Sequence, residues 1–124
     1  MNQLSKWAVV LALSCIAAPA VAEDSIVAGR QVYEQRCASC HGGSSPAAIA
    51  LGPNLAGIVG ARAGTRNGGV HSRAVLESKI VWDRDSLRGF LSAPRSVLPE
   101  AMMPTGLDDA GEVEQLLDYL ETFR

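Results

Sequence analysis

The sequence predicts an all-α domain of about four or five helices, and three observations carry that expectation. Apolar residues recur at helical spacing over two segments, 26–37 and 109–123. An aspartate at position 83 stands where it would cap a third helix. No run alternates polar and apolar residues long enough for a sheet strand, and no internal repeat is visible.

Taken in order, the first 22 residues read as an export signal ahead of a single domain over 23–124. Lys6 supplies the positive start, residues 7–18 the short apolar stretch, and Ala20, Val21 and Ala22 the small-residue pattern that places cleavage before Glu23. The apolar run falls short of the about 20 residues that span a membrane. Lipidation at Cys15 is disfavoured because Ala12 stands where a large aliphatic is usual. Ile26, Gly29, Tyr33 and Cys37 then share one helical face, which puts Cys37 at a helix end. Residues 42–69 hold most of the chain's 12 glycines, with Pro46 and Pro53, and follow no period. A loop of that length in a small domain has to wrap something. Asp83 caps the next helix, with Trp82 and Leu87 placed as a hydrophobic staple, Phe90 and Leu91 continuing the face and Pro94 ending it. The last helix spans about 109–123, with Asp109 and Glu112 as a capping box and Val113, Leu116, Leu117, Leu120 and Phe123 as its stripe.

Cleavage leaves 102 residues, in which 10 basic side chains (the 11 of the chain less Lys6) stand against 13 acidic ones, net −3. A mildly acidic chain of this kind is a poor partner for nucleic acid. Cleavage also removes Cys15, so the remaining cysteines are Cys37 and Cys40, and no other is left for a structural disulfide. So small a domain is marginal without a disulfide, metal or cofactor. With only Tyr33, Trp82, Phe90, Tyr119 and Phe123 as aromatics, a large apolar prosthetic group would supply the missing core.

The stretch "RCASCHG" at 36–42 places two cysteines and a histidine at i, i+3 and i+4. One helical turn apart, Cys37 and Cys40 can form thioethers with two haem vinyl groups while His41 turns its imidazole to the iron. A disulfide switch would need a preceding strand in a βαβ setting, and none is readable. Structural zinc would need four ligands, yet His71 is the only other histidine and there is no second cysteine pair. A haem iron in an electron carrier takes a second axial ligand, and a methionine thioether raises the potential and closes the sixth position. Met102 and Met103, adjacent in an irregular Pro-containing segment, are the candidates.

With these residues in hand, the chain over 24–124 resembles a class I cytochrome c, the family of mitochondrial cytochrome c and its bacterial relatives. The resemblance rests on Gly29 with Tyr33 four residues later, "CASCH", "GPNL" at 52–55, Trp82, and Met102 followed by Gly106 and Tyr119. That register favours Met102 over Met103 as axial ligand, and Pro104 biases Met103 toward an extended backbone. The resemblance implies the class I cytochrome c fold, one haem c attached through Cys37 and Cys40, and a Pro53 carbonyl accepting from the second nitrogen of His41. It further implies Asn54 and Leu55 on the proximal wall, a Trp82 indole N–H donating to a haem propionate, and Gly29 and Tyr33 crossing the last helix near Leu116 and Tyr119.

Departures are visible too. His71 stands where relatives carry a propionate-bonding tyrosine, Ala61 where many carry an arginine, and Pro104 where a phenylalanine is common. Lys79 is the only lysine after the signal, so no lysine-rich docking face exists; Arg36, Arg62 and Arg95 offer a smaller positive rim or ordinary solvated charge. The function implied is single-electron transfer in the periplasm by a carrier that is not an enzyme. Its partners would be redox proteins, a dehydrogenase donor and a terminal oxidase or other cytochrome as acceptor, with no membrane anchor after cleavage. A haem c subunit of a periplasmic dehydrogenase complex, and a ligand-binding or sensor haem protein, are the alternatives.

Overall fold

The computed structural model describes residues 20–42 and 51–124, so most of the expected signal segment and the 43–50 part of the long loop lie outside the described residues. Six helical elements follow one another: α1 (Ala20–Arg36), α2 (Ala38–His41), α3 (Arg73–Glu77), α4 (Arg84–Ser92), α5 (Pro94–Val97) and α6 (Ala110–Thr122). Among the described residues the only sheet-like pairing is one isolated bridge, Arg62 to Val81, so the all-α expectation holds. Two of the six, α3 and α5, are single turns absent from the sequence expectation. They are too short to show an apolar period. Pro94 does not merely stop a helix: α4 ends at Ser92 and Pro94 opens α5 at a position that needs no N–H donor.

The frame is the crossing of α1 and α6, the most extensive helix contact among the described elements. Gly29 makes it possible. A β-carbon there would lie 1.8 Å from the Gln115 carbonyl oxygen and 2.9 Å from the Tyr119 Cβ, so the backbones touch where no side chain intervenes. Around that point α1 buries Val32 and Tyr33, and α6 buries Val113, Leu116, Leu117, Tyr119 and Leu120. The Tyr33 ring meets Tyr119 at 5.5 Å and Phe123 at 5.4 Å between centroids, closing the crossing with aromatic contacts. The Asp109 carboxylate accepts from the Glu112 N–H and starts α6 one residue inside the expected boundary.

α4 lies against α6 and begins on a reciprocal capping box in which Asp83 and Ser86 each satisfy the other's backbone N–H. Leu87, Leu91 and Trp82 join the common core beneath it. Its outer edge is tied to α6 by ion pairs: Arg84 reaches Glu114 and Asp118 at 2.8 Å and Glu121 at 3.1 Å, and Arg88 bridges Asp85 and Glu114. Hydrogen bonds from Arg88 and Arg84 pull the Glu114 carboxyl down to about 2. Ser25 of α1 donates to Asp118, so all three long helices share this network.

Candidate functional site

α1 delivers the motif. Its backbone ladder continues through the break at Cys37, whose N–H donates to the Tyr33 carbonyl at 2.9 Å, and the His41 N–H returns to the Cys37 carbonyl at 2.9 Å. Cys37 therefore points into the core and is buried, whereas Cys40, on the next turn, is exposed. The two are not bridged to each other. Burial pushes the Cys37 thiol up to about 11, the opposite of the depressed value that disulfide exchange requires. Among the described residues no group of three or more His, Cys, Asp and Glu side chains is arranged to hold a metal ion.

His41 is oriented by the loop. Its Nδ1 lies 2.9 Å from the Pro53 carbonyl oxygen. A carbonyl only accepts, so Nδ1 carries the proton and Nε2 presents a lone pair, the tautomer an axial ligand needs. The adjoining Gly52 N–H donates to the Cys40 carbonyl at 2.7 Å. Gly52 also lies flush with the imidazole: a β-carbon on it would stand 2.7 Å from both Cε1 and Nδ1. On the other side the Tyr33 hydroxyl donates to the Gly42 carbonyl at 2.7 Å, and burial raises that phenol to about 12. Asn54 turns the chain by accepting from the Ala56 N–H at 2.7 Å, and Leu55 packs against the core.

Trp82 is 5 % exposed, with its ring 5.0 Å from that of Phe90. Its backbone pairs with the loop, donating to the Ala61 carbonyl at 2.8 Å and accepting from Gly60 at 2.6 Å. The segment carrying the methionines is pinned at both ends. Ala101 and Leu107 are buried, Leu107 N–H donates to the Leu91 carbonyl, and Gly106 lies so close to α4 that a β-carbon would meet the Ser92 carbonyl oxygen at 2.4 Å. Between those anchors Met103 packs against the core while Met102 is 65 % exposed. His71 turns Nε2 to the Arg66 carbonyl at 2.7 Å, so neutral His71 keeps only a lone pair at Nδ1. Arg36 lies within 3.9 Å of Glu112, and Arg62 and Arg95 are exposed.

The structure thus brings Cys37, Cys40, His41 and Pro53 into one constellation. Sequence reasoning missed two of its members, the Tyr33 hydroxyl as a tie to Gly42 and Gly52 as the surface beneath the imidazole. The adjacency of Gly52 to Pro53 was the available signal for the second. Two unbridged cysteines one turn apart, a histidine with Nδ1 protonated and Nε2 free, and a glycine leaving room beside the ring fit a covalently attached haem. An all-α fold with this constellation defines a haem c protein.

The cytochrome c family model matches residues 26–124, and the chain belongs to the cytochrome c family. It is 35 % identical over 104 residues to cytochrome c type-1 of Ascaris suum, covering 83 % of this chain and 92 % of that one. To cytochrome c2 of Blastochloris viridis it is 33 % identical over 112 residues, covering 90 % and 87 %. Among solved structures it resembles cytochrome cH from Methylobacterium extorquens with a TM-score of 0.69 at 31 % identity, covering 78 % of this chain and 97 % of that one. The protein is a haem c electron carrier with one covalently attached haem, and it is not an enzyme.

Proposed function

We propose that this chain is a periplasmic single-electron carrier with His41 and Met102 as the two axial ligands of its haem iron. The observation that carries the reading is the 2.9 Å bond from His41 Nδ1 to the Pro53 carbonyl, which presents Nε2 as the ligating atom. Met102 is favoured because its side chain is left outside the packing that engages Met103. Bound haem c supplies a one-electron couple at iron, whose potential a thioether ligand raises. The chain's own residues do the rest: Cys37 and Cys40 hold the macrocycle, Pro53 keeps the imidazole basic and oriented, and the Trp82 indole N–H donates to a propionate. Residues 1–22 act as an export signal, and among the described residues no helix is long and apolar enough to cross a membrane. The partners are redox proteins, a dehydrogenase as donor and an oxidase or a second cytochrome as acceptor.

The test is the absorption spectrum of the exported, haem-loaded protein, oxidised and reduced, with and without carbon monoxide. A low-spin spectrum with a weak far-red sulfur-to-iron band and no response to the gas is expected. Met102→Ala should abolish that band and open the iron to carbon monoxide, whereas Met103→Ala should leave both unchanged. The reverse pattern overturns the assignment of Met102.

A further inference from the structure

The histidine is held by Pro53 and Gly52, but those two residues are themselves clamped from behind by a second stretch of the loop, residues 67–70. Asn54 N–H donates to the Asn67 carbonyl at 2.8 Å, and Val70 N–H donates to the Leu51 carbonyl at 2.8 Å. These bonds grip the chain on either side of Gly52 and Pro53. Between them Gly69 presses directly on Gly52. A β-carbon on Gly69 would lie 1.9 Å from the Gly52 carbonyl oxygen, 2.1 Å from its carbon and 2.8 Å from its Cα. All three atoms are backbone, so no rotamer change relieves the clash. The turn is closed in its own right by the bond between His71 Nε2 and the Arg66 carbonyl at 2.7 Å.

We propose that residues 67–70 are a positioning element for the axial histidine, with Gly69 setting the height of Gly52 and Pro53 against the His41 ring. The chain of contacts is short: Gly69 on Gly52, Gly52 on the imidazole, and Pro53 on Nδ1. Moving Gly52 away from Gly69 displaces the Pro53 carbonyl attached to it. A strained or lengthened Nδ1–H bond makes the imidazole a weaker donor, which disfavours the ferric state and raises the reduction potential. Gly69 thus acts through two other residues, Gly52 and Pro53. This proposal rests on His41 as the ligand.

Gly68 provides the control. Both glycines have positive φ, +77° at Gly68 and +57° at Gly69, so an alanine is strained at either. At Gly68, however, a β-carbon meets only the Asn54 nitrogen, at an ordinary 3.9 Å. Backbone strain is common to the two substitutions, and displacement of Gly52 belongs to one.

The experiment compares exported, haem-loaded wild type, Gly68→Ala and Gly69→Ala by reduction potential and by the paramagnetically shifted ring-proton resonances of the axial histidine in the oxidised protein. The wild type is read first: absence of those resonances defeats the ligation reading itself, before any variant is considered. With them present, Gly69→Ala should raise the potential and move the histidine resonances, while Gly68→Ala lowers thermal stability and leaves both near wild type. Equal shifts in the two variants, or none in Gly69→Ala, overturn the proposal. Should Gly69→Ala fail to fold, Val70→Pro, which removes the donor to the Leu51 carbonyl, decides the matter. It should shift potential and resonances in the same direction by a smaller amount, and an unchanged spectrum there overturns the proposal equally.

Discussion

The α1–α6 crossing and the loop through 51–72 both support the same cysteine-histidine motif, but they are held by different forces. The crossing is a matter of side chains: Leu116 and Leu117 are fully buried, and two aromatic rings, Tyr119 and Phe123, close over Tyr33. The loop buries few residues, chiefly Ile58, Ala63 and Ser72, and its order comes from backbone hydrogen bonds such as Asn54 to Asn67, Val70 to Leu51, Ala63 to Ile80 and Gly60 to Trp82. Charge divides them too, since residues 51–72 contain no acidic side chain while α4 and α6 are laced with carboxylates. A region built on burial should be sensitive to lost methylenes. One built on backbone contacts should tolerate side-chain truncation and be sensitive to an added β-carbon.

The contrast breaks first at Gly29, the one place where the crossing also depends on a missing β-carbon. Gly29→Val should remove more than about 3 kcal/mol, beyond the usual cost of overpacking because backbone atoms stand in the way, and thermal melting should show no cooperative transition. Next comes loss of volume: Leu116→Ala should cost about 2–5 kcal/mol in chemical denaturation, whereas Val70→Ala, at an exposed loop position, should be within about 0.5 kcal/mol of wild type. The tie between the regions is smaller. Tyr33→Phe deletes the hydroxyl that donates to Gly42 and should cost about 1 kcal/mol in the same measurement, with the fold intact.

Acid gives the smallest effect and acts on the helical side alone. The Glu114 carboxyl is lowered from 4.5 to about 2 by hydrogen bonds from Arg88 and then Arg84. A depressed value means that its contribution is fully present above about pH 4.5 and is lost as pH falls through about 2. Because these side chains are partly exposed, the contribution is about 1 kcal/mol at most. The stability gap between wild type and Glu114→Gln, read from urea midpoints, should therefore narrow between pH 7 and pH 3. An unchanged gap would mean that the ion pairs contribute nothing to the packing of α4 on α6.

Much of this was legible from local signals. The stripes of Val113 to Phe123, the cap at Asp83 and the cap at Asp109 are decided within a few residues, and the helices stand where those signals put them. The spacing of Cys37, Cys40 and His41 named the cofactor because one helical turn is itself a local geometry. The contact of Gly29 with the last helix and the bond from His41 to Pro53 came from the resemblance and were found as expected. The single-turn helices α3 and α5 were not legible, since four or five residues carry no period. The partner of His71 was not either, because a histidine in a glycine-rich loop has no sequence signal for which carbonyl it will meet.

What the sequence alone determined, then, is the helical class, the attachment motif and the family, all of them written in spacings of three to four residues or in a matching order of motifs. The tertiary structure decided which methionine is engaged by the core and which is left outside it, and it alone set Gly69 against Gly52 and Gly52 against His41. The physical reason is that these are contacts between segments far apart in the chain, fixed to a few tenths of an ångström by close packing, and no local pattern records how two distant backbones will meet.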